Sequence, residues 1–394
     1  MRESLRLQTE GHEPAALGGR FSAVLEKQLT GTDLSHLPLE GLHAAANARF
    51  GAFAGWHMPI TYPAGVMKEH LHTREHVGLF DISHMKLFEV SGSGAVGLLD
   101  RACPLDAAAL ATSQSKYTFL LNDKAGIIDD LIVTRLGEHR FMVVANAGNA
   151  ATDEKHLRSL AAAFDVTIKP LDRVFLAIQG PEAEAVLARA GVESRGLTFM
   201  TGIEPRADWF MSRSGYTGED GFEIGLPEQD ARPLVAKLFE DERVMWIGLA
   251  ARDSLRLEAG LCLHGQDITE EFDPASAGLM WAIPKQVRET GAFVGAAALR
   301  AVLAAGPSRK RVGLKAEGRQ PVRAGTSLID GDGKVAGFVT SGGFGPSAGS
   351  PVAMGYVAAP LAKPGTRLYA EVRGQRIPVD IHPLPFTPHR YRKG

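Results

Sequence analysis

The sequence predicts an α+β fold: two ferredoxin-like units forming a body, followed by a small antiparallel β-barrel. A strand–helix–strand–strand–helix–strand rhythm with antiparallel neighbours is the ferredoxin-like pattern, and it occurs twice before residue 240. After a linker at 304–308 the character changes to six short strands separated by Asp-Gly and Gly-rich turns, which suits a separate barrel. A length of 394 residues fits two or three domains of ordinary size.

Composition narrows the class of protein. A hydrophobic fraction of 45% and a charged fraction of 22% are ordinary for a globular chain. A net charge of -2 and a pI near 6.7 give no electrostatic footprint for nucleic acid or an anionic membrane. No apolar run approaches the roughly 18–20 residues of a membrane span. The cysteines Cys103 and Cys262 have no metal or redox spacing and fit a reduced compartment. Residues 1–35 lack the apolar core of a secretory signal, and Glu3, Glu10 and Glu13 argue against a mitochondrial presequence. That stretch reads as a poorly ordered extension with a short helix at 21–29, and the expectation is a soluble cytoplasmic protein.

In chain order, 42–50 reads as a helix and 53–62 as an aromatic-rich loop fixed by Gly55 and Pro59. A polar helix at 66–76 ends before Gly78, and a strand runs from Phe80 through Val90. Helix 95–103 leads to strands at 116–121, 127–134 and 141–145, whose short turns make an antiparallel meander. Helix 150–164, strands 166–170 and 174–178, helix 182–190 and a glycine-rich hairpin at 213–224 follow. A strong amphipathic helix covers 248–261 and an Ala-rich one 295–303. Barrel strands are expected at 312–315, 327–329, 335–340, 352–357, 367–372 and 375–381, with turns at 330–333 and 342–346. The tail beyond 386 is basic through Arg390, Arg392 and Lys393.

Two motifs mislead if taken alone. His72-Thr73-Arg74-Glu75-His76 matches the H-x-x-E-H pattern of inverted zinc proteases, yet no third ligand is identifiable, so no metal is expected. Gly92-Ser93-Gly94-Ala95-Val96-Gly97 matches G-x-G-x-x-G between a strand and a helix. A dinucleotide fold would next return a parallel strand, whereas a meander follows, so NAD is not expected either.

The chemistry-bearing stretch is Gly126-Ile127-Ile128-Asp129-Asp130-Leu131-Ile132-Val133. Two carboxylates inside a buried-looking strand are expensive without partners. Because neighbouring side chains face opposite sides of a sheet, one of the two faces a cleft. The competing reading places Asp129 in a turn and salt-bridges Asp130 to a structural Arg. Asn146 ends the next strand. Glu223, between Phe222 and Ile224, raises the same partner question. Arg252 and Arg256 are four apart on the amphipathic helix and could tie it to Asp253 and Glu258. A planar Arg near a buried Glu also suits a bidentate grip on a flat heterocycle of alternating donors and acceptors.

Taken together the motifs resemble the aminomethyltransferase (T-protein) family of the glycine cleavage system. The resemblance covers roughly residues 36–392 and rests on FAGWHMPITY (53–62), GLFDISHM (78–85), GIIDDLIVTR (126–135), VVANAGN (143–149), RSGYTGEDGFEI (213–224), GLAARDSLRLEAGLCLHGQDI (248–268) and TSGGFGP (340–346). It is the ordered set of seven that is specific. It implies two interlocked ferredoxin-like halves at 36–303, the C-terminal barrel at 309–387 and a basic tail at 388–394, arranged around a tetrahydrofolate site.

The resemblance also implies a reaction. A lipoylated carrier, the H-protein, delivers an aminomethyl group as a thioether; tetrahydrofolate takes the methylene and ammonia leaves. Asp130 would be the catalytic carboxylate beside the folate N5/N10 edge, stabilising cationic charge and managing protons. Tyr117, Asn146 and Tyr216 would line the folate pocket, Glu223 and Arg252 would read the pterin edge, and Met85 would pack on it. A tail arginine, Arg392 or its neighbour Arg390, would meet the folate glutamate. Five positions depart from the family pattern: His57 for an acidic residue, Lys86 and Ala125 for glycines, His264 for a Tyr and Ser276 for a Glu. Relatives with this fold demethylate small compounds or assist iron–sulfur assembly. Retention of Asp130, Asn146, Glu223 and Arg252 favours the aminomethyltransferase over both.

Overall fold

Burial alternates along strand Ile127–Gly137 for its first seven residues, and that two-residue rhythm lets one face of a sheet pack helices while the other packs a second sheet. The computed structural model describes residues 34–194 and 196–394. The expected helix at 21–29 and nearly all of the 1–35 extension lie outside the described residues.

The first sheet has the order Ser115–Leu121, Ile127–Gly137, Arg140–Ala145, Lys86–Ser91, Thr167–Leu171, antiparallel throughout. Without its edge strand Ser115–Leu121 this is the ferredoxin-like arrangement, with helices Ala95–Ala102 and Ala150–Ala161 as the crossovers. Phe88, Leu98, Leu99, Leu131, Val133, Phe141 and Leu157 form the core between helices and sheet. Each side chain of that size removed from water contributes about 1.5–3 kcal/mol.

The second sheet has the order Thr201–Ile203, Phe210–Arg213, Gly221–Leu226, Val174–Gln179, Val77–Asp81, Val244–Trp246. Helices Ala183–Arg189 and Glu228–Leu238 cover it. The interlocking is visible here. Strand Val77–Asp81 precedes the first unit in sequence but lies inside the second sheet, antiparallel to Val174–Gln179 and parallel to Val244–Trp246. The inner faces of both sheets then share one core, in which Leu87, Met142 and Val144 meet Phe80, Phe175 and Phe210 under helix Leu249–Glu258.

The N-terminal region differs from expectation. The helix is Glu40–Ala45, and 53–62 is no loop: Arg49–Phe53 and Trp56–Thr61 form a hairpin joined to Ser35–His36. Its two-residue turn, Ala54-Gly55, has φ of 50° and 81°, the mirror-image geometry that matches strand twist. Gly55 and Pro59, which suggested an irregular segment, lie in the tight turn and in the second strand opposite Phe50.

The six expected barrel strands are present, and the barrel closes in the order Arg309–Ala316, Ser350–Ala358, Val335–Gly345, Ser327–Ile329, Arg367–Val372, Gln375–His382. The expected turn at 342–346 is instead mostly strand, since Val335–Gly345 pairs with Ser350–Ala358 as far as Gly345.

Buried ion pairs fasten the barrel to helix Leu249–Glu258. Arg256 reaches Asp267 at 2.6 Å, Asp253 at 2.8 Å and the Ser341 hydroxyl at 2.9 Å. Asp267 also accepts from the Thr340 and Ser341 hydroxyls of the barrel. Glu258 accepts from His70 at 3.1 Å, Arg74 at 3.2 Å and the Ser347 and Ala348 backbone N–H groups. Burial alone would raise its pKa, but these donors hold it down to about 2. The structural reading of the helix arginines therefore holds for Arg256 and Asp253. Among the described residues no carboxylate makes such a hydrogen bond to Arg252.

Candidate active site

Two groups of side chains meet between the sheets and the barrel. The first is built on the carboxylate strand. A Cβ at Gly126 would lie 2.0 Å from the Glu270 carbonyl oxygen, so only glycine lets the 268–272 segment cross the start of this strand. The Ile127 N–H to Phe272 carbonyl bond, 3.1 Å, holds that crossing and brings the His264 loop alongside. Ala125, one of the five departures, has φ 64°, the left-handed region in which glycine costs less.

Alternation directs Asp129 inward, fully buried, and leaves Asp130 half-buried. Among the described residues no arginine pairs with Asp130: the Tyr117 hydroxyl donates to its Oδ2 at 2.9 Å and Asn146 Nδ2 donates to its Oδ1 at 2.9 Å. Asn146 reaches both carboxylates, with Nδ2 also 2.9 Å from Asp129 Oδ1 and its backbone N–H 3.2 Å from Asp129 Oδ2. Burial, reinforced by the Asp129 charge and opposed by His264, Tyr117 and Asn146, raises the Asp130 pKa from an ordinary 3.8 to about 6. Burial beside this carboxylate also pushes the Tyr117 hydroxyl well above its usual range, so Tyr117 remains a donor.

The second group surrounds Arg252. Its guanidinium lies over the Tyr216 ring at 4.8 Å, and Nη2 is 3.9 Å from Met85 Sδ. Its Nη1 is buried without a partner. Burial raises the Glu223 pKa, while the Arg252 charge and the Ser214 hydroxyl, 2.7 Å away, pull it down. His84 sits by the same arginine, its Nδ1 also unpartnered, and burial pushes its pKa down to about 3, which keeps it neutral. Tyr216 donates to the Cys262 carbonyl and feels the charges of both Asp130 and Arg252, which joins the two groups into one site.

Met85, Tyr117, Asp130, Asn146, Tyr216, Glu223 and Arg252 are thus brought together. Arg392 is not. Its guanidinium pairs with Glu184 and its backbone N–H approaches Asp220, while Arg390 pairs with Glu219 at 2.6 Å. Carboxylates along the tail's own path claim both arginines.

Several residues of the site escaped sequence reasoning. Asp129, set aside as a turn neighbour, accepts from Asn146 and, at 3.1 Å, from Asn149. His264 Nδ1 approaches the Asn149 amide at 2.8 Å and Asp129 at 3.8 Å, so this departure lies within the site. Asp153, in the first turn of helix Ala150–Ala161, is fully buried against Asp129. Trp281 is 66% exposed and stacks on Tyr117 at 5.5 Å; it lies in the apolar run 279–283, where nothing in the sequence separates it from its buried neighbours. The other departures are local: Lys86 pairs with Asp172, Ser276 caps onto Asp273, and His57 joins His36 around Glu40. The donor atoms of that surface trio lie within 4.8 Å of one another, an arrangement its two imidazole–carboxylate hydrogen bonds account for.

The misleading motifs have structural uses. His72 bonds the Arg243 carbonyl at 2.8 Å and His76 bonds Glu182 at 2.9 Å. Gly92 and Gly94 let the start of helix Ala95–Ala102 approach the Asp165 backbone, where added Cβ atoms would lie at 2.4 and 2.7 Å.

Comparison with known proteins agrees with this architecture. Residues 39–287 match the GCVT N-terminal domain, and residues 309–387 match the glycine cleavage T-protein C-terminal barrel domain. The chain is 41% identical over 369 residues to the mitochondrial aminomethyltransferase of Gallus gallus, covering 91% of this chain and 94% of that one. It is 40% identical to the mitochondrial aminomethyltransferase of Homo sapiens, covering 91% of each. The crystal structure of the glycine cleavage system aminomethyltransferase T from Bartonella henselae superposes with a TM-score of 0.90 at 59% identity, over 91% of this chain and 100% of that one. With both domains matched in order and a homologous structure superposing over their length, the chain belongs to the glycine cleavage T-protein family of aminomethyltransferases.

Proposed function

We propose that the protein moves the methylene of an aminomethyl group from the lipoyl thioether of a carrier protein to tetrahydrofolate, with release of ammonia. The observation that carries the reading is a carboxyl poised near pH 6 and held on both oxygens, Asp130, in a site whose other end is an arginine with an unmet donor. The atoms balance. Two N–H protons of tetrahydrofolate are replaced by one bridging methylene; one ends on the departing amine and the other on the released carrier sulfur.

Asp130 is largely ionised at neutral pH, and its carboxylate suits a carbon that gains cationic character between nitrogen and sulfur. The same group accepts a proton from the attacking nitrogen as the bond forms. Tyr117 and Asn146 hold its two oxygens in place. At the other end, Glu223, the unpartnered Arg252 Nη1 and the unpartnered His84 Nδ1 suit the donors and acceptors of a pterin edge. Trp281 extends the aromatic wall begun by Tyr117.

Incubation with tetrahydrofolate and aminomethyl-loaded lipoyl carrier should release ammonia in proportion to carrier. Normal folate binding without ammonia would overturn the reading. Arg252→Ala is expected to weaken tetrahydrofolate binding about 10–100-fold, as for a lost charged hydrogen bond. Melting should change little, because among the contacts described for this guanidinium the one hydrogen-bond partner is a sulfur. Fluorescence titration with a thermal melt reads both; unchanged affinity would remove Arg252 from the folate site.

Among the described residues no helix is long and apolar enough to cross a membrane. The curated relatives named above are mitochondrial proteins. Residence of this chain in the cytoplasm is part of the proposal. Import of a reporter fused to residues 1–35 into mitochondria would overturn it.

A further inference from the structure

Behind the site lies a group for which the reaction above gives no role. Asp153 is fully buried, and among the described residues none gives an N–H or O–H to either of its carboxyl oxygens. Its polar contact is the carboxyl of Asp129. Two carboxylates cannot be buried in contact as two anions, and a contact between them holds when one carries a proton that it donates to the other.

The neighbours decide which one. Asp129 accepts from Asn146 Nδ2 at 2.9 Å, the Asn146 backbone N–H at 3.2 Å and Asn149 Nδ2 at 3.1 Å. Asp153 has no such donors. The anion therefore belongs on Asp129 and the proton on Asp153.

We propose that Asp153 is a positioning residue that stays a neutral acid and donates its proton to Asp129, fixing a single negative charge behind Asn146 and Asp130. This rests on the aminomethyl-transfer reading for its purpose but not for its chemistry. The fixed Asp129 anion orients the Asn146 amide, which grips Asp130, and repels a second negative charge on Asp130. The Asp130 carboxyl is thereby held near the pH at which it can both accept and return a proton. Burial and the Asp129 and Asp130 charges together push the Asp153 pKa up to about 10, in keeping with a retained proton.

The titratable and charged groups around the pair come from several elements. They are Asp130 on the same strand as Asp129, Tyr117 on the neighbouring strand, His264 on the crossing loop, Asp100 on helix Ala95–Ala102 and the Cys103 thiol at that helix's end. Burial holds the Cys103 thiol neutral.

Difference infrared spectroscopy of the full-length protein tests the proton directly and needs no substrate. The expected result is a protonated-carboxyl C=O band at neutral pH that persists to about pH 9 and is lost in Asp153→Asn. Absence of that band in the parent, or its survival in Asp153→Asn, would overturn the proposal. Turnover tests the consequence. Asp153→Ala removes a donor from a buried anion, and is expected to lower ammonia release at least about tenfold and to move the acid limb of the pH profile. Asp153→Asn keeps a donor and no charge, and is expected to recover most of the rate with the parental limb.

If Asp153 were instead ionised, Asp153→Asn would remove a charge and shift that limb down by about a unit or more. If it were merely structural, Asp153→Ala would melt earlier with its pH profile in place. Either result overturns the proposal. A parent protein with the infrared band but no ammonia release would sink the functional reading while the shared proton stood.

Discussion

Asp130→Asn is expected to lower ammonia release by about 10²–10⁴, the range for loss of a positioned acid–base group, while leaving the protein at least as stable as the parent. The two effects have one cause. The folded carboxyl has its pKa raised from 3.8 to about 6, so the folded state binds that proton more tightly than the unfolded chain does. An ionised Asp130 therefore costs stability, and the cost appears as pH rises from about 4 and is complete above about 6. A shift of two units corresponds to at most about 3 kcal/mol. The amide of Asn146 and the Tyr117 hydroxyl remain to meet the substituted amide. Parental turnover should fall as pH drops through about 6, because the carboxylate is the working form. Ammonia release, urea denaturation and folate titration measure the three quantities; folate affinity should stay within about tenfold, or 1.4 kcal/mol. A variant that loses its fold along with its activity would make Asp130 a structural residue.

Arg256→Ala, one helical turn beyond Arg252, should behave in the opposite way. Arg256 and Asp267 are both at most 1% exposed and lie 2.6 Å apart, and Asp267 is the anchor for two barrel hydroxyls. Removing the arginine leaves a buried carboxylate short of its counter-ion, which costs about 3–5 kcal/mol. Denaturation monitored by tryptophan fluorescence should show that loss, with the barrel released from helix Leu249–Glu258. A cost under about 1 kcal/mol would mean that the remaining donors, the Leu263 N–H and the Thr340 and Ser341 hydroxyls, suffice. The pair of variants separates two arginines that look alike on a helical wheel: one closes an internal ion pair, the other keeps a donor unmet.

That pair illustrates where sequence reading stops. Spacing along helix Leu249–Glu258 puts Arg252 and Arg256 on neighbouring turns and cannot tell which carboxylate lies opposite each. Asp267, nine residues beyond the helix, and Ser341, on a barrel strand, decide it for Arg256. The basic tail shows the same limit. Arg392 is engaged by Glu184, a helix residue more than two hundred positions earlier, and charge pattern could not foresee that partner.

Local rules carried the carboxylate strand, the meander and the six barrel strands, because alternation and turn residues act over a few positions. The resemblance of seven ordered motifs carried the family and most of the residues that meet in the site. The insertion of Val77–Asp81 into the far sheet, however, is a pairing across nearly a hundred residues. In the hairpin Arg49–Thr61, Gly55 and Pro59 read locally as loop residues, whereas Gly55 makes the two-residue turn and Pro59 pairs with Phe50 across the strands.

The sequence by itself determined that the Asp129–Asp130 strand alternates, and hence that its two carboxyls cannot share an environment. Only the tertiary structure decided what each environment is. It put Tyr117 and Asn146 on Asp130, and a second buried acid, Asp153, against Asp129. The physical reason is that ionisation depends on burial and on charges within a few ångströms, and those neighbours arrive from other strands, a helix and a loop.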